Sequence, residues 1–300
     1  MEPGDRSATL GREVLAGRAP QYRTECELAI IEKATMRSMN ARRWVVLLSV
    51  SAIAGSACGG PSVAAHSAST APMGGDVESK VAQALAGEWR GVEARQRDVY
   101  RHPKETLAFF GLKDDMHVVE MSPGSGWYTA ILAPVLAARG RLSVTSRFDE
   151  LAKRPDIFGR VEVTSPMQLG AAGSADMVLT FRNLHNWVGE HGEEQDVLAR
   201  VFAVLKPGGI FGLVDHRAKA DAVPPGAAGY LREDWVIGNV EKAGFRFLAK
   251  SEINANPRDT KDYPKGVWTL PPSYALGTTD RAKYQAIGES DRMTLKFVKP

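Results

Sequence analysis

The residues with most chemical content are Glu120-Met-Ser122-Pro123-Gly124-Ser125-Gly126, joined directly to Trp127. An apolar run ends in a carboxylate, a tight turn comes next, and an apolar-periodic helix begins. Glycines let a backbone approach a ligand closely, and the free N–H groups of a starting helix favour an anion. The pattern is that of a nucleotide-binding loop in a parallel α/β domain. A short Gly-rich turn alone is weak evidence, so its weight rests on the motifs downstream of it. Two polar clusters end later apolar runs: Arg182, Asn183, His185, Asn186 and Trp187, then Asp215, His216 and Arg217. His185 or His216 has the chemistry of a base, with Asp215 orienting an imidazole. A lone histidine is most often structural; two at neighbouring strand ends point to a site. His102 beside a proline and His191 in an acidic loop read as structural or solvent-facing.

Positioning these groups requires alternating strands and helices. Helical patterning covers 82–100, 103–110, 127–138, 194–205 and 232–242. Strand patterning covers 117–121, 142–145, 161–163, 176–181, 210–214, 245–249 and 293–298. Lys206-Pro207-Gly208-Gly209 reads as a break between a helix and a strand, and Gly111 and Gly140 as helix ends. Such alternation predicts a doubly wound, mostly parallel, Rossmann-like sheet of seven strands. Ligands in such sheets lie beyond the carboxyl ends of the strands, where both polar clusters fall.

Of 300 residues, 44% are hydrophobic and 24% charged, enough for a large core. Residues 1–58 differ. From Met36 or Met39 a basic start leads into fourteen uncharged residues, 44–57, and then Cys58. That stretch falls short of the ~20 residues a spanning helix needs, so it reads as an export signal, placing the protein in a bacterial envelope. Gly55-Ser56-Ala57-Cys58 resembles a bacterial lipoprotein signal with Cys58 as lipid acceptor; plain cleavage near Ala57 is the alternative. Residues 1–35 read as upstream of the true start. Residues 59–80, rich in Gly, Ala, Ser and Pro, read as a flexible linker, and 81–300 as the globular domain. With Cys26 and Cys58 the only cysteines, a chain starting at Cys58 has no disulfide, and no Cys/His cluster has zinc spacing. Removing 1–58 leaves 30 basic and 29 acidic residues, which gives no reason to expect nucleic acid.

The order of these motifs resembles class I S-adenosylmethionine-dependent methyltransferases. Carrying it are Glu120-x-Ser122-x-Gly124-x-Gly126, the strand 176–181 before a polar loop, Leu205-Lys-Pro-Gly-Gly, Ala243-Gly-Phe and the terminal strand. Trp127-Tyr128, Phe181-Arg-Asn-Leu-His-Asn-Trp187, Asp215-His-Arg217 and Ile287-Gly-Glu-Ser-Asp-Arg-Met293 are similar to a group of predicted bacterial methyltransferases, many with export signals. The resemblance covers roughly residues 90 to 300. It implies an antiparallel terminal strand and S-adenosyl-L-methionine as cofactor. Cofactor-binding positions would be Glu120, Ser122, Pro123, Gly124, Ser125, Gly126, Trp127, Asp149, Arg182 and Asn183; catalytic ones would be His185, Asp215 and His216. Backbone N–H groups at 124–127 would take the donor's carboxylate, Glu120 its ammonium, and Trp127 and Tyr128 its sulfonium by cation–π attraction, with helix packing the favoured role for Tyr128. Two positions depart from the family. Ser122 stands where glycine is usual, and Val144-Thr-Ser-Arg147 lacks the acid that holds the ribose, leaving Asp149 to reach back.

The implied reaction is methyl transfer to an unidentified small-molecule or protein acceptor. A nicotinamide-dependent oxidoreductase is the less favoured enzyme, since Thr129 stands where its fingerprint needs glycine. A non-catalytic envelope binding protein on the same fold is the other alternative, because the donor is made in the cytoplasm. Glu289-Ser290-Asp291-Arg292 reads as a structural cap, with Asp291 and Arg292 in one network. The proline-containing segments 223–225 and 268–272 read as rigid connectors or a lid.

Overall fold

A computed structural model describes residues 75–188 and 193–300. The leader, the export signal, Cys26, Cys58, linker residues 59–74 and His191 lie outside the described residues. Among the described residues no helix is long and apolar enough to cross a membrane.

The strands are β1 His117–Met121, β2 Arg141–Val144, β3 Glu162–Val163, β4 Ala175–Phe181, β5 Leu205–His216, β6 Gly226–Ala227, β7 Tyr230–Leu231, β8 Arg246–Ser251 and β9 Arg292–Val298. Seven of them form one sheet in the order β3-β2-β1-β4-β5-β9-β8. Strands β1 to β5 pair in parallel, whereas β9 runs antiparallel to both β5 and β8. The expected doubly wound sheet and its reversed last strand are both present. A small hairpin of β6 with β7 lies outside this sheet, bridged through Leu231 to Arg217 just past β5.

Burial on both faces explains why β1 and β4 are nearly continuous apolar runs. Val118, Met177 and Leu179 pack toward one core with Val81 of α1 (Gly75–Ala86), Phe110 of α4 (Pro103–Phe110) and Ile131 of α5 (Thr129–Leu136). Val119, Val178, Phe211 and Phe297 pack toward the other, against Leu198 and Val201 of α9 (Glu194–Val204) and Val236 of α10 (Glu233–Lys242). Gly212 lets β5 lie close under Phe110, since an added Cβ would come within 2.8 Å of that ring.

Three elements differ from the sequence expectation. Six residues of the 59–80 linker are already helix, because α1 starts at Gly75. The helix expected over 82–100 is broken, as Gly87 is extended and Gly91 takes φ 63°. Between and after them lie a short turn at Glu88–Arg90, α2 (Gly91–Gln96) and α3 (Asp98–Arg101). Third, Lys206–Gly209 does not interrupt the chain between helix and strand. Leu205 already pairs with Ala175, and Gly208 N–H donates to Lys299 O, so β5 starts five residues early across a bulge.

The antiparallel strand decides where the site can be. β8 ends beside Thr294, and β9 begins beside His216, at the carboxyl edge of the parallel strands. Residues 252–291 therefore leave and re-enter the sheet on that edge and supply its cover. Core packing at this seam rests on Phe211, which contacts the rings of Phe245 and Phe297 and is fully buried. Phe211→Ala is expected to lower unfolding free energy by about 3–5 kcal/mol. Urea denaturation measures it, and a loss below about 1 kcal/mol would show that the seam collapses onto the gap.

Candidate functional site

A cavity of about 250 Å³ opens where β1, β4 and β5 end, roofed by residues 267–273. The Gly-rich turn forms its floor. Gly124 has φ 61° and nothing within 4 Å of where a Cβ would stand, so bare main chain faces the opening. Ser122, in the position where the resembled family carries glycine, also takes positive φ, 47°. Its N–H donates to Thr145 Oγ1 at 2.7 Å, which holds this strained residue to the end of the second strand. Asn183 Nδ2 donates to Met121 O and to Thr180 Oγ1, so it ties the two strand ends together while lining the cavity.

Glu120 is buried at the end of β1, and Thr129 Oγ1–H donates to its Oε2 at 2.6 Å. Burial pushes its carboxyl up to about 7, with the Thr129 hydrogen bond pulling the other way. An ammonium group entering the cavity would favour the ionised form.

His185 and His216 come together with Asp215 between them. Asp215, fully buried, accepts from His185 Nδ1 at 2.8 Å, from His185 N at 3.2 Å and from His216 N at 2.7 Å. The carboxylate fixes His185 with Nδ1 toward it, leaving Nε2 for a ligand. His216 Nδ1 instead pairs with Ser290 Oγ. Burial, helped by His185 and by Arg182, Arg292 and Arg101, keeps the His216 imidazole well below its usual range, hence neutral. His185 is the better-placed base. One donor atom from each of His185, Asp215 and His216 lies within 4.8 Å of the others, as a metal site requires. The Asp215 oxygens already accept three hydrogen bonds, and guanidinium groups surround the trio, so the local field opposes a cation.

Arg182 and Arg292 stand among the sequence candidates, whereas Arg97 and Arg101 do not. Arg97 and Arg101, from the α2–α3 segment, line the same cavity as Arg182. Glu289 accepts from Arg97 Nε at 2.6 Å, Arg101 Nε at 3.1 Å and Arg292 Nη2 at 2.8 Å. Burial opposes its ionisation, yet Arg292, Arg101 and Arg97 together bring the Glu289 carboxyl down to about 2. The expected Asp291–Arg292 network is absent: Arg292 pairs with Glu289, while Asp291 pairs with Arg217 and Lys261. No motif announces this cluster, because Arg97 and Glu289 stand at opposite ends of the domain's sequence.

Two expected roles are corrected. Trp127 lines the cavity, but its ring is already met by two guanidinium groups, Arg101 at 4.6 Å and Arg90 at 5.0 Å from its centroid, and its Nε1–H donates to Ala94 O. Asp149 does not reach back. It opens the exposed helix α6 (Asp149–Lys153), makes no hydrogen bond to a described side chain and lines no part of the cavity. The neighbouring Phe148 ring instead covers Gly126, occupying the place where a Cβ would stand. Pro123, Ser125 and Arg182 all line the cavity, whereas Gly126 lies beneath Phe148. Tyr128 packs flat on Phe181, centroids 3.5 Å apart. Of the proline-containing segments, Val267, Trp268, Pro271 and Pro272 cover the cavity, and 223–225 does not.

No protein-family model and no curated protein matches the chain. Solved structures do. An S-adenosylmethionine-dependent methyltransferase from Aquifex aeolicus is 16% identical, over 74% of this chain and 98% of that one, at a TM-score of 0.47. The 1,6-didemethyltoxoflavin-N1-methyltransferase of Burkholderia thailandensis, with 1,6-didemethyltoxoflavin and S-adenosylhomocysteine bound, is 16% identical over 75% and 87%, also at 0.47. The glycopeptide N-methyltransferase MtfA, complexed with S-adenosylhomocysteine, is 15% identical over 67% and 90%, at 0.43. At these identities and TM-scores the likeness assigns no chemistry to this chain.

Glu120 gives a pH signature. Its carboxyl holds a proton to about pH 7 when folded and to about 4.5 otherwise. Between those values the folded chain binds more protons, so this group makes stability fall as pH rises through the window, by an order of ~3 kcal/mol in full. Glu120→Gln keeps an acceptor for Thr129 and removes the titration. Its stability relative to wild type is expected to rise from pH 5 to pH 8 in urea denaturation; parallel curves would refute the buried, protonated carboxyl.

Proposed function

We propose that the domain is an S-adenosylmethionine-dependent methyltransferase whose reacting centre is the cavity between the Gly-rich turn and His185. One observation carries this reading: the bare main chain at Gly124, the buried Glu120 and His185, backed by Asp215, all line one cavity. The cofactor, when bound, supplies an electrophilic methyl group. Glu120 and the turn at 123–125 fit its amino-acid end, a carboxylate meeting N–H groups and an ammonium meeting a carboxyl. Its adenosine end fits less well, because Phe148 covers Gly126 and no acid stands at the end of β2.

The chain's own task is alignment and proton removal, since an in-line displacement needs donor and acceptor held in register. Nε2 of His185 takes the proton that an acceptor N–H or O–H gives up. Asp215 holds the ring and stabilises the imidazolium. The cover at 267–273 lies over part of the cavity and lowers its contact with solvent, which strengthens these interactions.

Phe148 over Gly126 also favours a second reading, a non-catalytic binding protein on the same fold. Residues 36–58 support an envelope location for either, with Cys58 as lipid acceptor. That part is checked by radiolabelled fatty acid incorporation, expected in wild type and lost in Cys58→Ala.

Calorimetry of the full chain with S-adenosylmethionine, S-adenosylhomocysteine and NAD separates the readings. The first two are expected to bind and NAD not to. Gly124→Val is expected to weaken binding at least ~10-fold, because the side chain enters the opening and L-residues disfavour positive φ. Phe148→Ala is expected to tighten it by uncovering Gly126. A folded wild type that binds neither adenosyl compound moves the assignment to the binding protein.

A further inference from the structure

One wall of the cavity holds more positive charge than the fold uses. Arg97, Arg101 and Arg292 share a single carboxylate, Glu289, whose two oxygens are both engaged. Arg101 is almost fully buried, yet its Nη2 and the buried Nη2 of Arg97 have no hydrogen-bond partner among the described residues. Arg182, on the same cavity wall, makes no side-chain hydrogen bond or ion pair with any described residue, and it is held at φ 63° just past β4. Of the other acids here, Asp215 is committed to His185 and to the His216 N–H, and Glu120 accepts from Thr129 at the end of β1. The roof residues Val267, Trp268, Pro271 and Pro272 bring no charged side chain. A buried guanidinium N–H without an acceptor is costly, so this wall favours a group that brings acceptor oxygens. Burial and the mutual repulsion of these cations also draw Arg182 down to about 10 and Arg101 well below its usual range.

Building on the methyl-transfer reading, we propose that the acceptor is a small acid, a carboxylate or phosphate ester, whose oxyanion is held by Arg101 and Arg182 beside the His185–Asp215 pair. The guanidinium fork matches either oxyanion and orients it as well as binding it. A cavity of about 250 Å³, partly covered by residues 267–273, suits a small molecule. The donor's own carboxylate has a separate place at the Gly-rich turn. Arg182 therefore anchors the far end of the acceptor, and His185, three residues on, meets the atom to be methylated.

The test titrates inorganic phosphate and succinate into the full chain saturated with S-adenosylhomocysteine, for wild type, Arg182→Gln and Arg101→Lys. Thermal melting of each variant checks folding; Arg182→Gln removes no internal bond, so it is expected to melt like wild type. At least one anion is expected to bind, about 10- to 100-fold more weakly in Arg182→Gln, with S-adenosylhomocysteine affinity unchanged. Should Arg182→Gln instead weaken S-adenosylhomocysteine while sparing 5′-methylthioadenosine, which lacks the carboxylate, the arginines serve the donor and the proposal is overturned. Absence of anion binding to a folded, loaded wild type overturns it as well. If wild type fails to bind S-adenosylhomocysteine, the methyl-transfer reading fails and the acceptor with it. Phosphate binding to the bare chain that is lost in Arg182→Gln would then show an anion site of other purpose.

Discussion

One buried carboxylate organises this end of the molecule. Glu289 joins the α2–α3 segment, which precedes the sheet in sequence, to β9, which ends it. Buried ion pairs repay their desolvation only when geometry is good, and they are weak evidence of stability. What they do supply is position. With Glu289 in place, Arg97 and Arg101 cannot retreat to solvent, and both side chains stay among the residues that line the cavity. Arg101 is held from its other side by the Trp127 ring, so the chain just after the Gly-rich turn also takes part.

The resulting field sorts the titratable groups. His216 sits among guanidiniums and stays neutral, so its Ser290 partner orients it without charging it. His185 is the imidazole with a carboxylate against its Nδ1, which fixes the ring and leaves Nε2 toward the cavity. Glu120 lies behind the turn, where burial dominates and a proton is kept to near neutrality. Two ends of one cavity thus differ in character: a carboxyl ready to ionise against a cation, and arginines short of an anion. A sulfonium donor and an acidic acceptor are the charge types that match those two ends.

The sheet was readable from the residues because each strand and helix carries its own periodicity. β1, β4 and α9 fall within a residue of their expected bounds, since long apolar runs and a helical stripe are local signals. Misreadings came where local chemistry had two solutions. Leu205-Lys-Pro-Gly-Gly resembles a helix stop and is also strand, because β4 and the chain end offer partners to its backbone. Residues 82–100 are rich in helix formers, but Gly87 and Gly91 let the chain turn and carry Arg97 and Arg101 to the cavity.

The sequence by itself determined the alternation of elements, the glycine turn behind Glu120 and the placing of His185 and Asp215 at neighbouring strand ends, all properties of spacing within short segments. Only the tertiary structure decided that Arg101 and Glu289 meet on the wall that Arg182 shares, that Phe148 rather than an acid lies over Gly126, and that residues 267–273 form the roof. Those contacts arise because β9 enters the sheet at its carboxyl edge, which folds the 252–291 segment back over the strand ends. Charges that far apart along the chain become neighbours by topology, and no local pattern encodes it.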